Sequence, residues 1–132
     1  MTMPDVSPRV EPVDTPPGTV LLAEITDRPL DPAILESLVR TDADGAVVAF
    51  AGIVRDHDGG EPVTALDYRA HPEAERFLAE CCVDVAAASG LRVAAAHRVG
   101  ELQIGDTALL VAVASAHRAE AFAACARLVD EI

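Results

Sequence analysis

The chain has 132 residues and a mass of 13.8 kDa, the size of one domain, which excludes a multidomain protein. Hydrophobic residues make up 51% of it, yet no apolar run approaches the ~20 residues that a membrane-spanning helix needs. The formal net charge is -12 and all ten basic residues are arginine, so the chain lacks the basic excess on which non-specific nucleic-acid binding depends. We expect a globular protein with neither a nucleic acid nor a membrane as partner.

The cysteines and the N-terminus indicate the cellular compartment. Three cysteines, an odd number, lie at 81, 82 and 125 without the spacing of a metal site. Neither a secretory signal nor an Arg-rich transit peptide precedes the domain, so we expect a cytoplasmic protein. Residues 1–19 carry five prolines among acidic residues, which predicts a flexible Pro-rich tail before a single domain over 20–132.

The first half of the domain predicts a strand, a helix and a hairpin. The apolar run 20–26 favours a strand, and Asp31-Pro32 supplies an N-cap followed by proline at the first helical position. The β-rich run 45–54 leads into a polar loop, and the alternating residues 63–70 would return as the second strand of a hairpin.

The second half predicts two helices around another hairpin. A helix beginning at His71-Pro72 and ending near Gly90 carries one apolar stripe: Ala74, Phe77, Leu78, Cys81, Cys82 and Val85. Strands over 92–99 and 107–115 would pair across a turn at 100–106. The final helix begins near His117, with an apolar face formed by Ala121, Phe122, Cys125, Leu128, Val129 and Ile132.

The predicted order β-α-β-β-α-β-β-α contains too many hairpins for a doubly wound parallel sheet. It predicts an α+β fold in which helices pack on a mostly antiparallel sheet. The cysteines fall in the apolar stripes of helices, which favours small core residues over nucleophiles.

Arginine and histidine pairs are informative because the chain is so acidic. Arg55 lies where a strand meets a polar loop and could direct its guanidinium at a phosphate or carboxylate, although the residues alone slightly favour a surface salt bridge with Asp56 or Asp58. The loop side chains Asp56, His57 and Asp58 could in principle ligate a metal, but three consecutive residues rarely converge on one ion, and no metal is predicted.

The pair His117-Arg118 follows a strand at the start of a helix, where free N–H groups and the positive helix end favour an anion. This is the best candidate anion site in the chain, with a purely structural junction capped by Ser115 as the alternative. We interpret His97-Arg98, at the end of another strand, as structural.

Four blocks in the same order resemble the large, catalytic subunit of molybdopterin synthase. They are the residues 45–55 with Asp-His-Asp following, 63–68, 97–106, and 114–122 with Asp130-Glu-Ile132. The resemblance runs from about Val20 to Ile132 and implies that family's hammerhead-like α+β fold.

The resemblance also implies an activity and its partners. In this family, cyclic pyranopterin monophosphate receives two sulfurs from the thiocarboxylated Gly-Gly tail of a small ubiquitin-like subunit, which forms the dithiolene of molybdopterin. The large subunit forms a homodimer within a heterotetramer, and no separate cofactor is implied. Ile53, Val54 and Arg55 match the family's substrate-contacting strand end, and His117-Arg118 match its His-Arg pair. Arg55 and Arg118 are expected to hold anionic groups, and His117 to position or move a proton.

One departure from the family concerns lysine. Family members continue beyond the Asp-Glu-Ile position into a segment with catalytic lysines, whereas this sequence ends at Ile132 and contains no lysine. Arginine stays protonated and does not replace a reactive amine. We expect that a C-terminal segment is omitted here; the alternative is a non-catalytic truncated homologue that dimerises and binds the sulfur carrier. Ile53 is a smaller departure, because some relatives carry a basic residue there.

Overall fold

The computed structural model describes residues 18–58, 61–62, 65–68 and 73–132, and at 57–58, 61–62 and 65–68 it describes the backbone alone. Parts of three sequence predictions lie outside the described residues. They are residues 1–17 of the tail predicted over 1–19, both ends of the return strand predicted over 63–70, and the helix start at His71-Pro72.

The described elements agree with the predicted order and add short strands to it. The helices are α1 (Pro32–Val39), α2 (Ala74–Ser89) and α3 (Arg118–Glu131). The longer strands are β1 (Val20–Thr26), β2 (Ala46–Ile53), β6 (Arg92–Arg98) and β8 (Thr107–Ser115). The shorter strands are β3 (His57–Asp58), β4 (Glu61–Pro62), β5 (Ala65–Tyr68) and β7 (Gly100–Gln103).

The four longer strands form one sheet in the order β1-β6-β8-β2. The pairs β6–β8 and β8–β2 are antiparallel, and β1 joins β6 in parallel. The predicted α+β class with a mostly antiparallel sheet is therefore confirmed. Two small antiparallel pairs, β3–β4 and β5–β7, complete the described strands.

Helices cover both faces of this sheet. Its central strands are apolar at successive positions, and successive side chains of a strand lie on opposite faces, so both faces are apolar. On one face, Val93, Ala95, Val111 and Val113 pack against α2 and α3. On the other face, Ala94, Ala96, Leu110, Ala112 and Ala114 pack against Leu35 and Val39 of α1. The core therefore lies in two layers, and the strand ends remain at its edges.

The structure corrects the pairing of the first predicted hairpin. The strand over 45–54 is present as β2, but it pairs with β8, while the predicted return strand contributes β5, which pairs with β7. The reason is burial: β8 is apolar toward both helix layers and needs a strand on each side, and β6 alone supplies only one. The second predicted hairpin, β6 with β8, is confirmed, with β7 inserted in its connection.

Two helical stripes differ from prediction at their aromatic positions. Phe77 is 50% exposed and Phe122 is 60% exposed, although both were expected on apolar faces. The buried stripe of α2 instead runs through Leu78, Cys82, Val85 and Ala86, and that of α3 through Ala121, Ala124, Cys125 and Leu128. Helical periodicity places each phenylalanine at the margin of its stripe, where the neighbouring element does not reach.

Two of the cysteines are core residues, as predicted: Cys82 and Cys125 are buried. Cys81 is half-buried, and its thiol lies 3.5 Å from the backbone oxygen of Glu131. In the part of the chain that the structure describes, no helix is long and apolar enough to cross a membrane.

Candidate active site

Arg55 leaves the sheet at a point fixed by backbone hydrogen bonds. The preceding Val54 is buried, its N–H donates to Asp106 O at 2.9 Å, and its carbonyl accepts from Gly105 N at 2.7 Å. Gly105 has φ +92°, a conformation that favours glycine, so the turn before β8 can present its N–H to Val54. Arg55 follows directly and is exposed.

Ile53 lies at the same end of β2, beside an irregularity in the ladder. Gly52 pairs with Leu109 and Ile53 with Thr107, so one residue of β8 is skipped between them. The extra residue, Ala108, belongs to β8, so the bulge bends β8 near its start. The side chain of Ile53 is 51% exposed, two residues before Arg55.

His117 and Arg118 lie at the junction of β8 with α3. His117 is the N-cap residue, its side chain makes no capping hydrogen bond, and its N–H donates to Ser115 Oγ at 3.2 Å. Ser115 therefore ends the strand and supports the junction from within β8, and the alternative that it is the N-cap is wrong. Both His117 and Arg118 are exposed, at the end of the helix where the backbone dipole favours negative charge.

The junction is held against β2 by a close backbone approach. Gly45 N donates to Ser115 O at 3.0 Å, and a Cβ at Gly45 would lie only 2.5 Å from Ala116 O. A side chain at this position would displace the segment that carries His117. Glycine at 45 therefore fixes where the His-Arg pair begins.

Within one chain, the two groups of predicted site residues are separate. Because β2 and β8 are antiparallel, Ile53 pairs near the start of β8, whereas Ala46 pairs with Ser115 at its end. An eight-residue strand rises ~3.3 Å per residue, which separates Arg55 from His117 and Arg118 by roughly 25 Å. The structure places Ile53, Val54 and Arg55 together and His117 with Arg118, but it does not unite the two groups in a single copy.

Sequence reasoning gave Arg98 only a structural role, but the fold places it at the Arg55 end. The side chain of Arg98 is 19% exposed, and its Nη1 lies 3.5 Å from Asp106 Oδ2. The position of Arg98 at the end of a strand was the available signal. That position points to the site only when the strand order is known, because this order places the ends of β6 and β2 on either side of the start of β8.

Known proteins share this fold and sequence. The family model described as MoaE protein matches residues 25–132. Molybdopterin synthase catalytic subunit 1 of Mycobacterium tuberculosis is 41% identical over 117 residues, which cover 86% of this chain and 78% of that protein. The molybdopterin synthase catalytic subunit of a Nostoc species is 40% identical over 111 residues, covering 82% and 67%.

The solved structures include the molybdopterin synthase from Staphylococcus aureus. It superposes with a TM-score of 0.76 at 34% identity and covers 82% of this chain and 80% of its own. The family match spans both groups of site residues and all three described helices. The chain therefore belongs to the MoaE family of molybdopterin synthase catalytic subunits.

Proposed function

We propose that this protein is the catalytic subunit of a molybdopterin synthase and transfers sulfur from a thiocarboxylated carrier to cyclic pyranopterin monophosphate. The observation that carries the proposal is the family match over residues 25–132, which includes the strand end at Arg55 and the pair His117-Arg118. The relatives are named catalytic subunits, which supports a second subunit as sulfur donor.

The residues at the two groups suit this reaction. Arginine remains charged at any ordinary pH and can hold a phosphate or carboxylate through two parallel N–H bonds, which fits Arg55 and Arg118 to an anionic pterin. An imidazole can both accept and donate a proton, which fits His117 to proton movement during sulfur transfer. Ile53 and Val54 would border the substrate beside Arg55.

A homodimer would unite the two groups that one chain keeps apart. Among the described strands, β2 pairs only with β8, so its other edge has no described strand partner. Its sequence AVVAFAGI contains no charge and no proline, and Ala49, Phe50 and Ala51 in its middle are exposed. An exposed edge strand that carries neither a charged residue nor a proline is suited to pairing with another strand.

Two-fold pairing of β2 with its copy would be antiparallel and centred near Phe50. It would align the end of one β2 with the start of the other, so that Arg55 of one copy approaches His117 and Arg118 of the second. Each dimer would then contain two identical pockets, each built from both chains.

Mixing two impaired variants tests this composite pocket. Arg55→Ala and Arg118→Ala chains are each expected to lose most activity with the thiocarboxylated carrier and the cyclic pterin. After dissociation and reassociation of an equal mixture, half the dimers are mixed, and each mixed dimer has one intact pocket. Activity should return to about a quarter of that of the wild type.

Each variant taken alone through the same cycle is the control and should keep only its low residual activity. Mixed dimers that form but regain no activity would contradict a pocket shared between chains. Unimpaired conversion by both single variants would contradict the assignment of the residues. Wild-type chain that binds carrier and pterin without turnover would support the non-catalytic alternative.

We place the protein in the cytoplasm. Its three cysteines are free thiols, the state that a reducing compartment maintains.

A further inference from the structure

Three strand ends meet at the edge of the sheet that carries Arg55. Both β6 and β2 run antiparallel to β8, so the ends of β6 and β2 flank its beginning. Arg98 ends β6, Asp106 immediately precedes β8, and Arg55 follows β2. The topology therefore brings two arginines and one carboxylate from distant parts of the chain to one edge.

Arg98 is unusually buried for an arginine that closes a strand. Its side chain is 19% exposed, and its Nε is buried with no hydrogen-bond partner among the described residues. Leaving a buried donor without an acceptor destabilises a fold, so this placement needs a reason beyond packing. The Arg98 side chain makes an ion pair with Asp106, in which Nη1 lies 3.5 Å from Oδ2.

Asp106 connects Arg98 to the turn that precedes β8. The same oxygen, Oδ2, accepts from Gln103 N at 2.9 Å, and Asp106 N donates to Gln103 O at 2.9 Å. The carboxylate thus closes the turn over 103–106 on one side and faces the Arg98 guanidinium on the other.

The 103–106 turn also holds Val54, the residue before Arg55. Val54 donates to Asp106 O and accepts from Gly105 N, at 2.9 and 2.7 Å. A displacement of Asp106 would therefore move both backbone anchors of Val54. Since Arg55 is the next residue, the direction in which its side chain leaves the sheet depends on the same turn.

We propose that Arg98 is a positioning residue for sulfur transfer: through Asp106 and the 103–106 turn, it fixes the location from which Arg55 meets the anionic substrate. This role rests on the proposed function of Arg55. In this role Arg98 acts without touching substrate: its side chain is 19% exposed, and its Nη1 lies 3.5 Å from Asp106 Oδ2.

Two substitutions in the assembled synthase test the proposal. Arg98→Met removes the charge and keeps an apolar stem. Asp106→Asn removes the ion pair but keeps an oxygen that can accept from Gln103 N. Both variants are expected to raise KM for the cyclic pterin about tenfold, since a misplaced guanidinium loses much of a charge-assisted contact. Both should also speed amide hydrogen exchange at Val54 and Gly105.

Arg127→Met is the matched control. It also removes an arginine from an ion pair, with Glu131 at 3.2 Å, but on the exposed surface of α3. It should leave KM and the Val54 exchange rate unchanged. A lower melting temperature of Arg98→Met with an unchanged KM would overturn the positioning role, because a purely structural residue affects stability alone.

The Arg55→Ala background separates this proposal from the proposed function. If Arg98 acts through Arg55, adding Arg98→Met to Arg55→Ala raises KM no further. A further tenfold rise would show that Arg98 acts elsewhere and would overturn the proposal. If Arg55→Ala by itself leaves KM unchanged, the assigned role of Arg55 fails, and the role of Arg98 fails with it. If Arg55→Ala raises KM and Arg98→Met leaves KM unchanged, only the role of Arg98 is overturned.

Discussion

Gly45 determines how closely β2 can approach the segment that carries His117. A Cβ at this position would lie 2.5 Å from Ala116 O, a backbone atom that cannot rotate away as a side chain can. At Gly52, by contrast, the nearest atom to an added Cβ is Cε2 of Phe50 at 3.3 Å, on a side chain that is 37% exposed and can shift. The two glycines therefore differ in their tolerance of alanine.

We expect Gly45→Ala to lower the free energy of unfolding by about 2 kcal/mol, as forced backbone displacement does. Urea denaturation followed by circular dichroism measures the change, and Gly52→Ala is the control with a smaller loss. Because the clash displaces Ala116, Gly45→Ala should also reduce activity even where the protein remains folded. Equal stabilities of the two variants would contradict the close approach.

The buried thiol of Cys82 makes the stability of the fold depend on pH. Desolvation by burial, with a smaller contribution from Cys81, raises the pKa of the Cys82 thiol from 9.0 to about 12. The folded protein therefore keeps this thiol protonated, whereas the unfolded chain ionises it as pH rises above 9. Stability from this group is complete below pH 9 and is lost as pH rises toward 12.

The free energy of unfolding should accordingly fall as pH rises from 9 toward 12, and less steeply in Cys82→Ala than in the wild type. Urea titrations at a series of pH values give both slopes. Cys81→Ala is the control: burial also raises the pKa of that thiol, but Cys81 is only half-buried, so its removal should alter the slope less. Identical slopes for Cys82→Ala and the wild type would refute the linkage.

At the scale of elements, α1 is stabilised at both ends by side chains. Asp31 Oδ1 accepts from Ala33 N at 3.0 Å at its start, with Pro32 in the first helical position. At its end, Arg92 of β6 donates from Nε to Val39 O at 2.8 Å. The last carbonyls of a helix have no N–H partner within the helix, so this contact supplies one. The eight-residue helix is short, so these contacts count for much of its stability.

Asp31→Ala should cost about 1 kcal/mol of unfolding free energy, the usual loss for an N-cap. Asp42→Ala removes an equal charge from an exposed turn nearby and should cost close to nothing. Thermal and urea unfolding of the two variants provide the comparison. Similar losses in both would indicate that charge, and not capping, is responsible.

At the scale of the whole molecule, the uncharged edge of β2 contrasts with a surface of net charge -12. Like-charged chains repel one another, so association is favoured where the contact region itself carries no charge. The middle of β2, where Ala49, Phe50 and Ala51 are exposed, is such a region. Pairing there would assemble the proposed pocket.

Ala51→Glu should therefore dissociate the dimer, because a two-fold contact near this position brings two carboxylates together. Sedimentation velocity at micromolar concentration measures the shift to monomer, and activity should fall in parallel. Ala88→Glu, an exposed position on α2, is the control and should remain dimeric. A dimer that persists in Ala51→Glu would place the interface elsewhere.

The sequence by itself determined the elements with strong local signals. Asp31-Pro32 predicted the start of α1, the apolar spacing predicted α2 and its end at Gly90, and β8 and α3 appeared where expected. These features follow from capping, helical periodicity and strand composition, which act over a few residues. The family resemblance identified Arg55 and His117-Arg118 as site candidates from the residues alone.

Only the tertiary structure decided which strands pair and which residues share an edge. The partner of β2 is β8, more than fifty residues away, because both faces of the sheet are buried and the strand order must satisfy them together. That order separates Arg55 from His117 by the length of a strand and brings Arg98 beside Asp106. No local pattern encodes such proximity, since it arises from burial summed over the whole chain.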